Sequence, residues 1–255
     1  MTSPGVRLDQ DGPVATITLC RPEVRNAQTP QMWQALRDIG RQLPGDVRVV
    51  VVRGEGPTFS AGLDLACLRP QPEGDGLLAE LAALPEEAAE QRIAEFQQAF
   101  GWLRRPNLIS IAAVQGHAVG AGFQLALACD LRVLTSDARL VMAEVSHGLV
   151  PDLGGTKRLV ELVGYARALE ICVTAREVTA AEAAAIGLAN LVVPAAELTA
   201  AVADLVAAVL AADRSTVTEI KALLGMAAGR SYADQERAER QAQVRRIRDL
   251  AGIGE

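Results

Sequence analysis

Along this chain, short β-branched runs alternate with longer stretches of helical periodicity. Val14 to Leu19 (VATITL) reads as a strand, closed by Arg21-Pro22-Glu23. Val47 to Arg53 (VRVVVVR) is a continuous valine run, the pattern of a strand buried on both faces. Leu108 to Val114 (LISIAAV) and Leu131 to Leu134 (LRVL) repeat it. A helix is expected from about Thr29 to Leu43, with Thr29 as its cap and Pro30 at the first helical position, where a missing N–H costs nothing. Strands separated by helices predict an α/β architecture.

The pattern breaks between Asp64 and Pro106. Pro70, Pro72, Gly74 and Gly76 crowd one end, and an acidic, alanine-rich helix from about Glu86 to Trp102 follows. Two readings stand here: a mobile loop plus helix covering a site, or a solvent-facing insertion. After Pro194 the chain is helical by composition, with helices expected at Glu197–Ala212, Arg214–Ala228 and Tyr232–Leu250. The expected organisation is a core over residues 1–194 and a helical region over 195–255.

Composition narrows the classes. Half of the 255 residues are apolar, enough for a sizeable core. A net charge of −6 argues against non-specific nucleic-acid binding, which needs a basic footprint. The most apolar late stretch, Ala195 to Ala212, is interrupted by Glu197 and Asp204, so no membrane span is expected. The first residues, MTSPGVRLDQDG, lack the apolar segment of a secretory signal. Cys20, Cys67, Cys129 and Cys172 lie far apart with no CxxC spacing, which argues against a disulfide framework or a metal site and makes a reducing cytoplasm the default location.

Three constellations could carry chemistry. Phe59-Ser60-Ala61-Gly62-Leu63-Asp64 follows a strand, and its small residues let the backbone turn sharply and expose N–H groups; an ordinary strand-to-helix turn would look the same. Gly116-His117-Ala118-Val119-Gly120-Ala121-Gly122-Phe123-Gln124 sits between a buried strand and an apolar helix, placing a helix N-terminus where its free donors favour negative charge. It lacks the third glycine of a dinucleotide fingerprint, and Gly155-Thr156-Lys157 has the wrong order for a phosphate loop. Glu144, after a short apolar strand and before the turn Pro151-Asp152-Leu153-Gly154-Gly155, is either a partly buried carboxylate able to exchange protons or a surface glutamate.

Taken in order with Arg21-Pro22-Glu23-Val24-Arg25-Asn26-Ala27 and Gly187-Leu188-Ala189-Asn190, these segments resemble the crotonase (enoyl-CoA hydratase/isomerase) superfamily from about Val14 to Val193. The resemblance implies a spiral of ββα turns, with C-terminal helices that assemble homotrimers or dimers of trimers. It implies an acyl-CoA substrate, with CoA as part of that substrate and no separate cofactor. It also implies an oxyanion hole formed by the N–H groups of Leu63 and Ala121. Arg25, Ala61, Gly62, Asp64 and Gly120 are the expected substrate-binding positions, Arg25 facing either the CoA phosphates or solvent.

The family's hydratases use two glutamates, one on the helix after the second glycine loop and one before the Pro-x-x-Gly-Gly turn. Here the second is Glu144 and the first is Gln124, an amide that can orient water but cannot take its proton. Double-bond isomerisation with Glu144 as proton shuttle is therefore the expected reaction. Hydration with Gln124 holding water is the alternative, and a non-catalytic acyl-CoA-binding oligomer is a third reading from another class. Asp152 falls where the family's dienoyl-CoA isomerases carry a catalytic aspartate, and equally where a turn favours one. His117 and His147 are read as structural, and the run Arg245-Arg246-Ile247-Arg248 as the solvated face of a helix.

Overall fold

The computed structural model describes residues 2–3, 5–68 and 76–253. Among these, seven strands form one sheet: β1 (Thr2–Ser3), β2 (Val6–Asp11), β3 (Val14–Leu19), β4 (Val49–Gly54), β5 (Ile109–Val114), β7 (Leu131–Thr135) and β10 (Leu191–Val193), side by side in that order. The first three are antiparallel, and β3 through β10 run parallel. A second sheet joins β6 (His117–Val119), β8 (Arg139–Val141) and β9 (Val178–Thr179). This is the α/β architecture that the alternation of strands and helices predicted.

The valine run of β4 explains how the layers stack. Val50 and Val52 face the main core, while Val49 and Val51 join Ile111, Ala113 and Val133 on the opposite face. That second face is covered by Val202 of α8 (Leu198–Ala211), so every position in the run is buried and no alternation is visible. On the main side lies α1 (Pro30–Gln42), which buries Met32, Trp33, Leu36 and Ile39 at helical spacing. Thr29 caps it, accepting from the Met32 N–H at 3.3 Å. The strand β4 starts two residues later than its valine pattern suggests, because the N–H groups of Arg48 and Val49 both turn to the Pro13 carbonyl. The Arg48 guanidinium instead caps α8 through the carbonyls of Val209, Leu210 and Ala212.

The break after Asp64 contains α2 (Gly76–Ala83), which the sequence did not announce, and α3 (Glu86–Gly101). The expected loop positions Pro70, Pro72 and Gly74 lie outside the described residues. Far from being a solvent-facing insertion, α3 buries Phe96, Ala99 and Phe100, and the Phe96 ring stacks 5.0 Å from that of Trp33. After β6 come α4 (Ala121–Ala128), α5 (Gly155–Val163), α6 (Tyr165–Thr174) and α7 (Ala180–Ala185). The chain ends in α8, α9 (Arg214–Ala227) and α10 (Tyr232–Leu250), close to the expected bounds. The arginine run of α10 does more than face solvent: Arg245 pairs with Glu219 of α9 at 2.7 Å, and Arg246 with Asp213 at 2.7 Å. No single described helix is long and apolar enough to cross a membrane.

Candidate active site

Two backbone segments meet at the ends of β4 and β5. In the first, the N–H groups of Phe59, Ser60, Ala61 and Asp64 donate to the carbonyls of Gln115, His117, Arg25 and Gln28, and that of Gly62 to the Ser60 hydroxyl at 3.2 Å. The Leu63 N–H alone in this stretch finds no acceptor among the described residues. Ala121 opens α4, so its N–H belongs to the first-turn donors that a helix cannot satisfy internally, and no described residue accepts from it either. The segments abut. A Cβ built on Gly62 would lie 3.5 Å from the Ala121 nitrogen, and Gly62 takes a φ of +86° that only glycine adopts without strain. The expected oxyanion donors thus stand on adjoining loops.

A buried polar network shapes the first loop. The Ser60 hydroxyl donates to the Asn26 carbonyl at 2.8 Å and accepts from the Gln28 amide at 3.1 Å, and Gln28 in turn accepts from the Trp33 indole at 2.8 Å. Asn26, itself left-handed, accepts from the Arg21 N–H and donates to the carbonyls of Glu55 and Thr58. The motifs contain Asn26 and Ser60 without giving them a role, and Gln28 did not stand out; two amides, Asn26 and Gln28, just before the helix cap Thr29 are the signal that could have found the network. Asp64 carries its own tie, an ion pair with Arg21 at 3.0 Å. Arg25 is exposed, Ala61 partly so, and Gly120 is buried.

Glu144 sits in a short helical turn after β8, half-buried. Its carboxylate lies over Gly120: a Cβ there would be 3.3 Å from Oε1. The Glu144 carboxylate is therefore packed against the residue that immediately precedes the Ala121 donor. Oε1 accepts from the Gln124 amide at 2.7 Å, whereas Oε2 is buried with no partner among the described residues. Burial raises the Glu144 pKa above the ordinary range; its own backbone N–H and the Gln124 amide oppose the rise, Asp152 adds to it, and His147 lowers it slightly. Asp152, half-buried as well, is also raised, by burial above all.

Gln124 is 1% exposed, and its amide oxygen accepts from the N–H groups of Leu153 at 2.9 Å and Gly155 at 3.2 Å. Both lone pairs of that oxygen are thus engaged. Both histidine side chains are exposed. The helix α3 reaches the site: Gln97 donates to the Asp152 carbonyl at 2.7 Å. A separate cleft of about 430 Å³ between α9 and α10, lined by Arg214, Thr218, Glu219, Arg245 and Arg248 among others, shares no residue with the donor loops. Among the described residues no group of three His, Cys, Asp or Glu side chains could hold a metal ion.

Known proteins share this fold. The sequence profile of the enoyl-CoA hydratase/isomerase family matches residues 9–250, and the chain belongs to that family. The short-chain-enoyl-CoA hydratase of Clostridium acetobutylicum is 34% identical over 204 residues, covering 76% of this chain and 70% of that protein. A Thermobifida fusca protein, provisionally named an enoyl-CoA hydratase and crystallised with acetoacetyl-CoA, is 51% identical with a TM-score of 0.91, covering 96% of this chain and 95% of the other. An enoyl-CoA hydratase from Polaromonas sp. JS666 superposes with a TM-score of 0.85 at 30% identity, covering 97% and 93% of the two chains.

Proposed function

We propose that the protein moves a double bond within an acyl-CoA thioester by a 1,3-proton shift, with Glu144 as the proton carrier. The observation that carries this reading is the buried, unpartnered Oε2 of Glu144, on a carboxylate packed against the residue that precedes a free backbone donor. The ionised carboxylate takes the α-proton of a 3-enoyl thioester, and the electron pair runs through the diene system to the thioester oxygen. The N–H groups of Leu63 and Ala121 hold that developing charge, the interaction that makes an α-proton removable. The protonated Glu144 then returns its proton to the γ-carbon, leaving a 2-enoyl thioester and the carboxylate restored. One carboxylate serves both transfers.

Water addition is the second reading. It is supported by the names of the relatives and by Asp152, a second half-buried carboxylate close enough to raise the Glu144 pKa. It is disfavoured by the amide oxygen of Gln124, which already accepts two backbone N–H groups and has no lone pair left for a water. Exposed apolar residues on the C-terminal helices (Leu224, Tyr232, Ile247 and Leu250) support assembly into homotrimers or their dimers.

The test is incubation with 3-hexenoyl-CoA and with crotonyl-CoA in H₂¹⁸O, with products followed by mass spectrometry. The expected outcome is 2-hexenoyl-CoA from the first without ¹⁸O incorporation, slowed at least about 100-fold by Glu144→Gln. Labelled 3-hydroxyacyl-CoA with no isomer would overturn the proposal in favour of hydration, and tight binding without turnover would favour a non-catalytic acyl-CoA binder.

A further inference from the structure

We infer that Gln124 is a positioning residue for Glu144: its amide holds Oε1 in place and leaves Oε2 as the one oxygen that takes the proton. The inference rests on the reading of Glu144 as proton carrier. It departs from the expectation that Gln124 works on a water molecule.

The orientation of the amide is fixed by its neighbours. Leu153 and Gly155 present two N–H donors to one end, at 2.9 and 3.2 Å, so that end is the oxygen. The NH₂ group must then face Glu144, where it donates to Oε1 at 2.7 Å. Gly155 is the first residue of α5, and its N–H is one that the helix leaves unpaired. The amide therefore links a helix terminus to the carboxylate, and donors on its oxygen polarise its NH₂ toward a stronger bond with an anion.

The slot for this amide exists because residue 155 has no side chain. A Cβ there would lie 2.7 Å from the Gln124 Cγ and 2.9 Å from its oxygen. Gln97 of α3 holds the other end of the same loop through the Asp152 carbonyl. With Oε1 engaged in a charge-assisted bond, its lone pairs are the poorer base, and the proton falls to Oε2, which has no hydrogen-bond partner among the described residues.

The consequence is a pH profile set partly by Gln124. The charged or titratable groups around Glu144 are His147 on its own turn, Asp152 on the loop before α5 and Cys172 on α6, whose thiol burial and Glu144 together push up. None of these supplies the hydrogen bond that Gln124 does, and that bond favours the ionised form.

The test is the pH dependence of kcat/KM for 3-hexenoyl-CoA isomerisation in wild type, Gln124→Met and Gln124→Glu, with α-proton exchange from D₂O as a second readout. Gln124→Met removes the donor, and the acid limb is expected to rise by about one to two pH units, as the loss of one hydrogen bond to a charged group requires. The kcat is expected to fall up to about 100-fold from lost alignment, with KM changed less than about twofold because both ends of the amide are engaged within the protein. Gln124→Glu keeps an acceptor for the Leu153 and Gly155 N–H groups, which preserves folding, but sets a second carboxylate against Glu144; its acid limb is expected to rise at least as far. An acid limb unmoved in Gln124→Glu, or a loss carried by KM, overturns the inference while leaving Glu144 as the base. Activity undiminished in Glu144→Gln overturns the underlying reading instead.

Discussion

Gly62 lies against the carbonyl oxygen of Val119 so closely that a Cβ on it would stand 2.5 Å from that oxygen. Space and backbone conformation both demand glycine here, since φ is +86°. Gly62→Ala is expected to push the Leu63 segment away from α4, with a stability loss of about 1–3 kcal/mol from strain. The larger effect is on rate, a drop in kcat of about 100-fold or more from a displaced donor. Urea titration alongside steady-state kinetics checks both; a variant with unchanged kcat would show that this contact does not set the donor geometry.

The raised pKa of Glu144 makes a stability prediction with a definite sign. The folded-state value lies above the unfolded one, so the fold favours the protonated form. The penalty is absent below the ordinary glutamate value of about 4.3 and grows as pH rises through the window up to the raised folded value. Glu144→Gln is therefore expected to melt at higher temperature than wild type at pH 7, and to lose that advantage near pH 4. Melting curves at the two pH values decide it. The same variant is expected to lose about 10²–10⁴ of the activity.

Ser60 ties Asn26, Gln28 and Gly62 together while fully buried. Ser60→Ala leaves the Gln28 amide and the Gly62 N–H without their acceptor, at a cost of about 1–3 kcal/mol for each buried group left unsatisfied. The expected result is a lower thermal midpoint together with a reduced kcat, because the lost bonds border the Leu63 donor. Calorimetry and turnover measured on one preparation would reveal whether the two effects travel together.

Lys221 anchors α9 to the sheet. Its ammonium meets Asp130 at 2.6 Å and the Leu108 carbonyl at 2.7 Å, and Asp130 also accepts from the Ser110 N–H at 2.8 Å. Burial lowers the Lys221 pKa, with Asp130 opposing. Lys221→Met strands a largely buried carboxylate and is expected to cost about 3–5 kcal/mol. The double variant with Asp130→Asn should recover part of that loss; a double variant no better than the single would argue against the pair as the cause.

Arg25 stands exposed beside the first donor loop, its carbonyl accepting from the Ala61 N–H. If its guanidinium meets a CoA phosphate, Arg25→Ala is expected to raise KM for an acyl-CoA several-fold and leave KM for the matching acyl-pantetheine unchanged. Equal effects on both substrates would remove the phosphate contact from consideration.

The parts of this fold that were legible in the sequence are those with enough length to show a period. The valine run of β4, the Thr29 cap and Pro30 start of α1, and the bounds of α8 to α10 all follow from local chemistry. Of the second sheet, β8 shows in the sequence as the short apolar strand before Glu144, whereas β6 and β9, of three and two residues, are too short to carry an alternation. In the same way α5 opens at Gly155 behind Gly154, without a capping side chain; its first N–H turns to Gln124, which lies 31 residues before Gly155. The two donor loops were readable from their glycines. The saturation of Gln124, the Arg21–Asp64 pair and the Ser60 network were not, because each is a meeting of residues distant in sequence that only the folded backbone arranges.

Ala121 and Gln124 share the first turn of α4, three residues apart. At about 1.5 Å of rise per residue, a single helical turn fixes the distance between the free Ala121 N–H and the amide that grips Glu144. On the proposed reading, the spacing of the reaction is thus written into a rigid element, set apart in sequence from the stretch after Asp64 that carries α2 and α3. Changes in that stretch that spare Gln97, whose amide holds the Asp152 carbonyl, leave the spacing of Ala121 and Gln124 untouched, so one part of the chain can vary while the helical turn keeps its register.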